Sequence, residues 1–218
     1  MRRWLQIYNI LNDMFEHRCL NCGAKVNFGE FICDNCSMFI YEPSHTKSIY
    51  DIYHMGYYKD SLAILIKEFK YNKNLKIGKY LTDILCEYFR SIDIENHDYY
   101  VSYVPSNYFS IYNKGFIPAK IIADRFAKNF GLKVINLFKS KSYKRQASLS
   151  LNERHKNIQK KIKITTSIPK YLIIVDDVYT TGASMFECMN IIKKNVDFCL
   201  GLTLAKAHYG GDSFEEQV

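Results

Sequence analysis

The chain has 218 residues and a formal net charge of +8, with 48% hydrophobic and 24% charged residues. That composition is globular, and the length suits one main core with a small appendage. No apolar run approaches the roughly 20 residues that a helical bilayer span needs, so a membrane-spanning role is excluded.

The first residues, MRRWLQIYNILNDMF, begin like a secretion signal, but Gln6, Asn9, Asn12 and Asp13 interrupt the apolar stretch and no small-residue cleavage site follows. Trp4, Tyr8, Leu11 and Phe15 recur at helical spacing and predict a helix with a buried stripe; a membrane-surface anchor is the alternative. Next comes CLNCGAKVNFGEFICDNC, in which Cys19, Cys22, Cys33 and Cys36 form two Cys-x-x-Cys pairs. Two intervening residues let both sulfurs of a pair point at one centre while turn amides donate to the thiolates, and four thiolates about a tetrahedral ion specify Zn²⁺. Gly23 supplies the permissive backbone of the knuckle. Disulfides compete with this reading, but Cys86, Cys188 and Cys199 sit in apolar contexts as ordinary buried thiols, and there is no secretion signal. With no open coordination position the zinc is expected to be structural, and it brings the effective charge to about +6.

Beyond Pro43 the elements lengthen. Helices are predicted over Ser61–Phe69 and Ile77–Phe89, a strand over Tyr99–Val104, and a helix over Pro118–Phe130 closed by Gly131. A strand over Leu132–Phe138 leads into a basic segment, in which Ser150 and Glu153 form a capping-box pattern. Then follow a strand over Tyr171–Val175, a helix over Ala183–Lys193, a strand over Phe198–Ala205 and a tail from Gly210. Alternating strands and helices imply βαβ units and a parallel sheet, with ligands bound beyond the carboxyl ends of the strands.

The charge is concentrated. Residues 132–170 carry a net +10, which leaves −2 for the rest. Such a block suits a nucleotide or a nucleic-acid backbone, and equally a solvated loop. Phe138, Tyr143 and His155 lie in or beside it and could stack on bases.

The chemistry is densest in LIIVDDVYTTGAS. Leu172 to Val175 read as a strand buried on both faces, and Asp176 and Asp177 fall at its carboxyl end. Two adjacent carboxylates repel unless hydroxyl donors or a cation satisfy them, and the vicinal hydroxyls of a ribose, bridged by Mg²⁺, would do so. Thr180, Thr181, Gly182, Ala183 and Ser184 then enter a helix, whose unpaired amides and dipole make a phosphate site. Acids for sugar hydroxyls beside a phosphate nest describe a ribose 5-phosphate.

This run resembles the phosphoribosyl-pyrophosphate (PRPP) signature of type I phosphoribosyltransferases. Taken in order with the four cysteines, Phe69-Lys70-Tyr71, Val104-Pro105, Lys114-Gly115-Phe116 and the Lys144-Arg145-Gln146 to Asn157 loop, it resembles the ComF family of bacterial competence proteins. The resemblance implies an α/β fold: a type I phosphoribosyltransferase-like parallel sheet flanked by helices over 46–218, with a small zinc-ribbon-like element within 1–45. It also implies a cytoplasmic role in natural transformation, handling incoming single-stranded DNA with helicase and recombination-mediator partners. PRPP and Mg²⁺ would be held by Asp176, Asp177, Thr180 to Ser184, and a pyrophosphate loop beginning at Ser106 and Asn107. Lys144 and Arg145, on a loop closing over the site, would stabilise the departing pyrophosphate. DNA would be met by Lys139, Lys141, Lys144, Arg145, Arg154 and Lys156. The alternatives are an active transferase to an unidentified base or amine, and a nucleotide-sensing regulator. Where the family commonly has Arg-Gly-Phe-Asn-Gln, this chain has Lys114-Gly115-Phe116-Ile117-Pro118, replacing two polar side chains with an apolar and a cyclic one.

Overall fold

The structure is a computed structural model, and it describes residues 17–106, 111, 115–140 and 162–207. The amino-terminal helix, the capping box at Ser150 and the tail therefore lie outside the described residues.

In chain order the elements are β1 (His17–Arg18), β2 (Lys25–Val26), α1 (Asp34–Ser37), β3 (Ser44–Thr46), β4 (Ile52–Tyr57), α2 (Asp60–Tyr71), α3 (Leu75–Arg90), β5 (Tyr100–Tyr103), α4 (Pro118–Phe130), β6 (Lys133–Val134), β7 (Phe138–Ser140), β8 (Ile162–Ile164), β9 (Tyr171–Tyr179), α5 (Ala183–Ile192) and β10 (Phe198–Lys206). Six strands form the central sheet in the order β3-β4-β10-β9-β5-β6. Only β3 among them pairs antiparallel, with β4; the other four pairings are parallel. The chain is thus a mostly parallel α/β sheet flanked by helices.

Each face of the sheet carries its own apolar cluster, as the two-residue period of a strand requires. On one face Ile173, Val175, Leu200, Leu202 and Leu204 pack with the buried stripes of α2, α3 and α4. On the other, Leu172, Ile174, Cys199 and Ile52 pack with Met185, Cys188, Met189 and Ile192 of α5. Proline at the first turn of α4 and left-handed Gly131 at its end act as the sequence suggests.

Three elements differ from expectation. The strand expected to stop at Val175 runs to Tyr179, because β10 stays in register beside it as far as Lys206↔Tyr179. The strand expected over Leu132–Phe138 is only two residues long; Phe138 instead opens the β7–β8 hairpin, whose strands bracket residues 141–161. Strand β4, IYHMGY, had no sequence signal. Its Gly56 is required by close packing, since a Cβ there would meet the Ile40 carbonyl oxygen at 2.6 Å.

The four-Cys element is not set apart from this core. Cys19, Val26, Ile32, Cys36 and Ile40 belong to the same apolar cluster as α2 and α3. The boundary expected at 45/46 falls inside β3, an edge strand of the sheet.

His54 of β4 is fully buried beside β10. Its Nδ1 bonds Thr203 Oγ1 at 2.8 Å and its Nε2 bonds Thr46 Oγ1 at 2.9 Å. Burial, reinforced by the charges of Lys206 and His45, lowers its pKa to about 3. The unfolded chain therefore takes up a proton near pH 6.5 that the folded chain refuses until about pH 3. Stability contributed by neutral His54 is complete above about pH 6.5 and declines as pH falls, by about 2 kcal/mol at pH 5. Urea denaturation at pH 7 and pH 5 should show this loss, and His54→Gln should remove that part of the pH dependence.

Candidate functional site

Four sulfurs gather at the amino-terminal element. The Sγ atoms of Cys19, Cys22, Cys33 and Cys36 all lie within 4.8 Å of one another, with Cys22 and Cys33 at 3.6 Å. A tetrahedral zinc with Zn–S near 2.3 Å needs sulfurs about 3.8 Å apart, so the donor set fits the ion. The turns are those of a thiolate knuckle: Gly23 takes φ +75°, and its N–H bonds the Cys19 carbonyl at 2.9 Å. Burial raises the Cys19 thiol, but the backbone N–H groups of Cys22, Cys33 and Asn21 outweigh it and bring the pKa to about 6. Cys36 is pushed up to about 12, by burial first and by its thiol neighbours. A cation at the centre reverses that penalty.

Asn21 was not singled out by the sequence. Its Nδ2 donates to Cys36 Sγ at 3.4 Å and to Ser61 Oγ at 3.0 Å, so one amide supports one of the four clustered sulfurs and anchors the start of α2. Cys33→Ser should lower bound zinc as read by atomic absorption. Asn21→Ala, which keeps all four thiolates, should weaken zinc retention roughly ten-fold in chelator competition.

The second centre lies at the carboxyl ends of the strands. Because β9 continues through the acid pair, its pleat sends the two side chains to opposite faces. Asp176 follows Leu172 and Ile174 to the α5 side. It lines a cavity of about 120 Å³ together with Tyr179, Thr180, Thr181, Gly182, Ala183 and Ser184. At about 30 Å³ per water that is room for a phosphate-sized group and not for a whole nucleotide. Gly182 caps α5 with φ +73°, and a Cβ there would collide with the Tyr179 ring. The first turn of α5, where the Ala183 N–H donates weakly to Thr181 Oγ1 at 3.4 Å, lines the same cavity as a carboxylate, the charge pattern that a phosphorylated sugar presents in reverse.

Asp177 follows Ile173 and Val175 to the other face. There its Oδ1 accepts the Val178 N–H at 2.7 Å and an ion pair from Lys70 Nζ at 2.9 Å, with the two side chains only 12% and 14% exposed. Asp176 and Asp177 are thus adjacent in sequence but do not share one cavity. Lys70 is the functional candidate to which the sequence reading gave no role. Nothing local in Phe69-Lys70-Tyr71 announces that the last turn of α2 reaches the end of β9.

Pro105 and Ser106 follow β5, next to β9, and border a cleft of about 450 Å³ shared with Tyr103, Asn136, Phe138 and Lys139. This is within the size range of small-molecule sites. Tyr103 donates its hydroxyl to Asn136 Oδ1 at 2.8 Å across the cleft wall. Lys139 is exposed at its rim. Phe138, by contrast, is 5% exposed; it packs in the core and is no open stacking platform. Asn107, Lys141, Lys144, Arg145, Arg154 and Lys156 lie outside the described residues. The Gly115-Phe116-Ile117-Pro118 departure is put to structural use: Phe116 packs its ring 5.5 Å from Phe69 of α2, and Ile117 and Pro118 start α4.

Compared with curated proteins, the chain is 24% identical over 186 residues to competence protein F of Haemophilus influenzae, covering 81% of this chain and 78% of that one. The chain is therefore similar to a competence protein. No protein-family profile matches it. Solved structures that resemble it include a glutamine PRPP amidotransferase from B. subtilis complexed with ADP and GMP, at a TM-score of 0.43 and 11% identity over 64% of this chain. This chain spans 30% of that amidotransferase's length. An adenine phosphoribosyltransferase resembles it at a TM-score of 0.38 and 15% identity, over 78% of this chain and 88% of that one. These structural likenesses are distant, and the description of the fold rests on the strand order given above.

Proposed function

We propose that the protein is a competence factor that binds PRPP with Mg²⁺ at the carboxyl ends of β9 and β5 and handles single-stranded DNA through its basic segment. The observation that carries the reading is that Asp176 and the first turn of α5 line one phosphate-sized cavity. A 5-phosphate in that cradle is bonded by the amides of Ala183 and Ser184 and by the Thr180 and Thr181 hydroxyls. The ribose then lies toward Asp176, and the pyrophosphate extends along the sheet toward Pro105 and Ser106, one strand spacing of about 4.8 Å away. Mg²⁺ would neutralise the pyrophosphate. The Lys144 and Arg145 loop, bracketed by β7 and β8, would close over it.

Calorimetry tests the ligand. Mg-PRPP should bind with a stoichiometry near one, and Asp176→Ala should weaken binding at least ten-fold while the circular dichroism spectrum and melting temperature stay close to those of the parent. Unchanged affinity in that variant would refute the site.

The DNA function is supported by the net +10 of residues 132–170. Lys139 contributes from the exposed side of β7. Affinity for a labelled single-stranded oligonucleotide should fall steeply as salt rises, with a slope near −0.7 per phosphate contact. Replacing Lys144, Arg145, Arg154 and Lys156 together should flatten that slope, and binding indifferent to salt would count against this use of the segment.

A further inference from the structure

We infer that Lys70 is a built-in counter-cation for Asp177, taking on this carboxylate the place that a divalent metal ion would take between two strand-end acids. The inference deepens the PRPP reading above and rests on it for its functional meaning.

The argument starts from the pleat. An acid pair on one face needs a shared cation or external hydroxyl donors, because two neighbouring carboxylates repel. Here Asp177 is turned away from the α5 cavity, and its charge is met from within the chain: Lys70 Nζ stands 2.9 Å from Oδ1 in a setting where both side chains are nearly buried. The same oxygen accepts the Val178 N–H, which fixes the carboxylate plane. A pair this enclosed differs from exposed helix-end lysines, whose partners exchange with water. Removing one member leaves an uncompensated charge in a poorly solvated site.

The lysine is itself held in place. Phe69, fully buried, anchors the last turn of α2 against the Phe116 ring. The helix then stops at Asn72, whose N–H bonds the Glu68 carbonyl at 3.1 Å. Tyr58, at the end of β4, completes the surroundings: burial raises its phenol, and it feels the charges of Lys70, Tyr71 and Asp177. A primary ammonium has three donors, so Lys70 can hold Asp177 Oδ1 and keep hydrogens for other acceptors at the end of β9. Lys70 is a positioning residue on this account: it keeps Asp177 oriented and closed to metal.

It follows that Mg²⁺ serves the pyrophosphate of the ligand and not Asp177. Ribose 5-phosphate, which has no pyrophosphate, should bind the parent protein with the same affinity, within two-fold, with and without Mg²⁺. Lys70→Met should lose at least ten-fold in affinity without Mg²⁺ and recover most of it when Mg²⁺ is added, and Lys70→Arg should behave like the parent.

A Mn²⁺ titration followed by electron paramagnetic resonance, with no sugar present, tests the lysine independently. Lys70→Met should gain one Mn²⁺ site that is absent from the parent and lost again in Lys70→Met with Asp177→Asn. The inference is overturned if the parent already binds a Mn²⁺ that Asp177→Asn removes, or if folded Lys70→Met gains none. Should Lys70→Met fail to fold, the parent and Asp177→Asn still decide: identical Mn²⁺ titrations support the inference, and a site lost in Asp177→Asn overturns it. Failure of ribose 5-phosphate to bind the parent would instead refute the phosphosugar site, a result the Mn²⁺ titration does not share.

Discussion

The parallel ladder between β9 and β10 is the constraint on which the rest of the molecule depends. It keeps one register from Phe198↔Tyr171 to Lys206↔Tyr179, and it sits at the centre of the sheet with apolar clusters on both sides. Since side chains alternate along a strand, that register decides which of two adjacent acids meets the phosphate cradle and which meets Lys70. A slip of one residue would exchange them and would also turn Leu172 to Val175 to the wrong clusters. Core packing and site chemistry are therefore set by the same hydrogen bonds.

The four-Cys element depends on that sheet more than its sequence suggests. A short segment with two knuckles could be a module on a tether, yet its apolar residues join the cluster under α2 and α3, and β3 continues it into the sheet edge. Bound zinc would then tie down one margin of the main core instead of holding a separate domain together. The distinction matters for stability, because loss of the ion would loosen residues that also support the sheet.

Much of the fold and part of the site were legible because their signals are local. Two Cys-x-x-Cys pairs need only a turn each, and the sulfurs meet as the spacing implies. The Thr180 to Ser184 turn carries its own glycine and opens its own helix. What escaped was decided by distant partners. The strand through Asp176 to Tyr179 has no apolar run of its own and is extended because β10 is beside it. Strand β4 hides a histidine in the core, and His54 is tolerated there because Thr46 and Thr203, far apart in sequence, bond both ring nitrogens. Phe138 beside a basic run suggests a stacking surface, yet burial against the α5 side claims it. Lys70 in a helical last turn is ordinary until the fold brings it to Asp177.

Helix α2 spans 12 residues, about 18 Å at 1.5 Å per residue. Near one end, Ser61 accepts a hydrogen bond from the amide of Asn21 that also touches the Cys36 sulfur; near the other, Lys70 holds Asp177. A stiff rod pinned at both tips by polar contacts has little freedom to pivot at one without swinging at the other. The geometry of a thiolate cluster is in this sense built into the aim of a single ammonium group at the far side of the core.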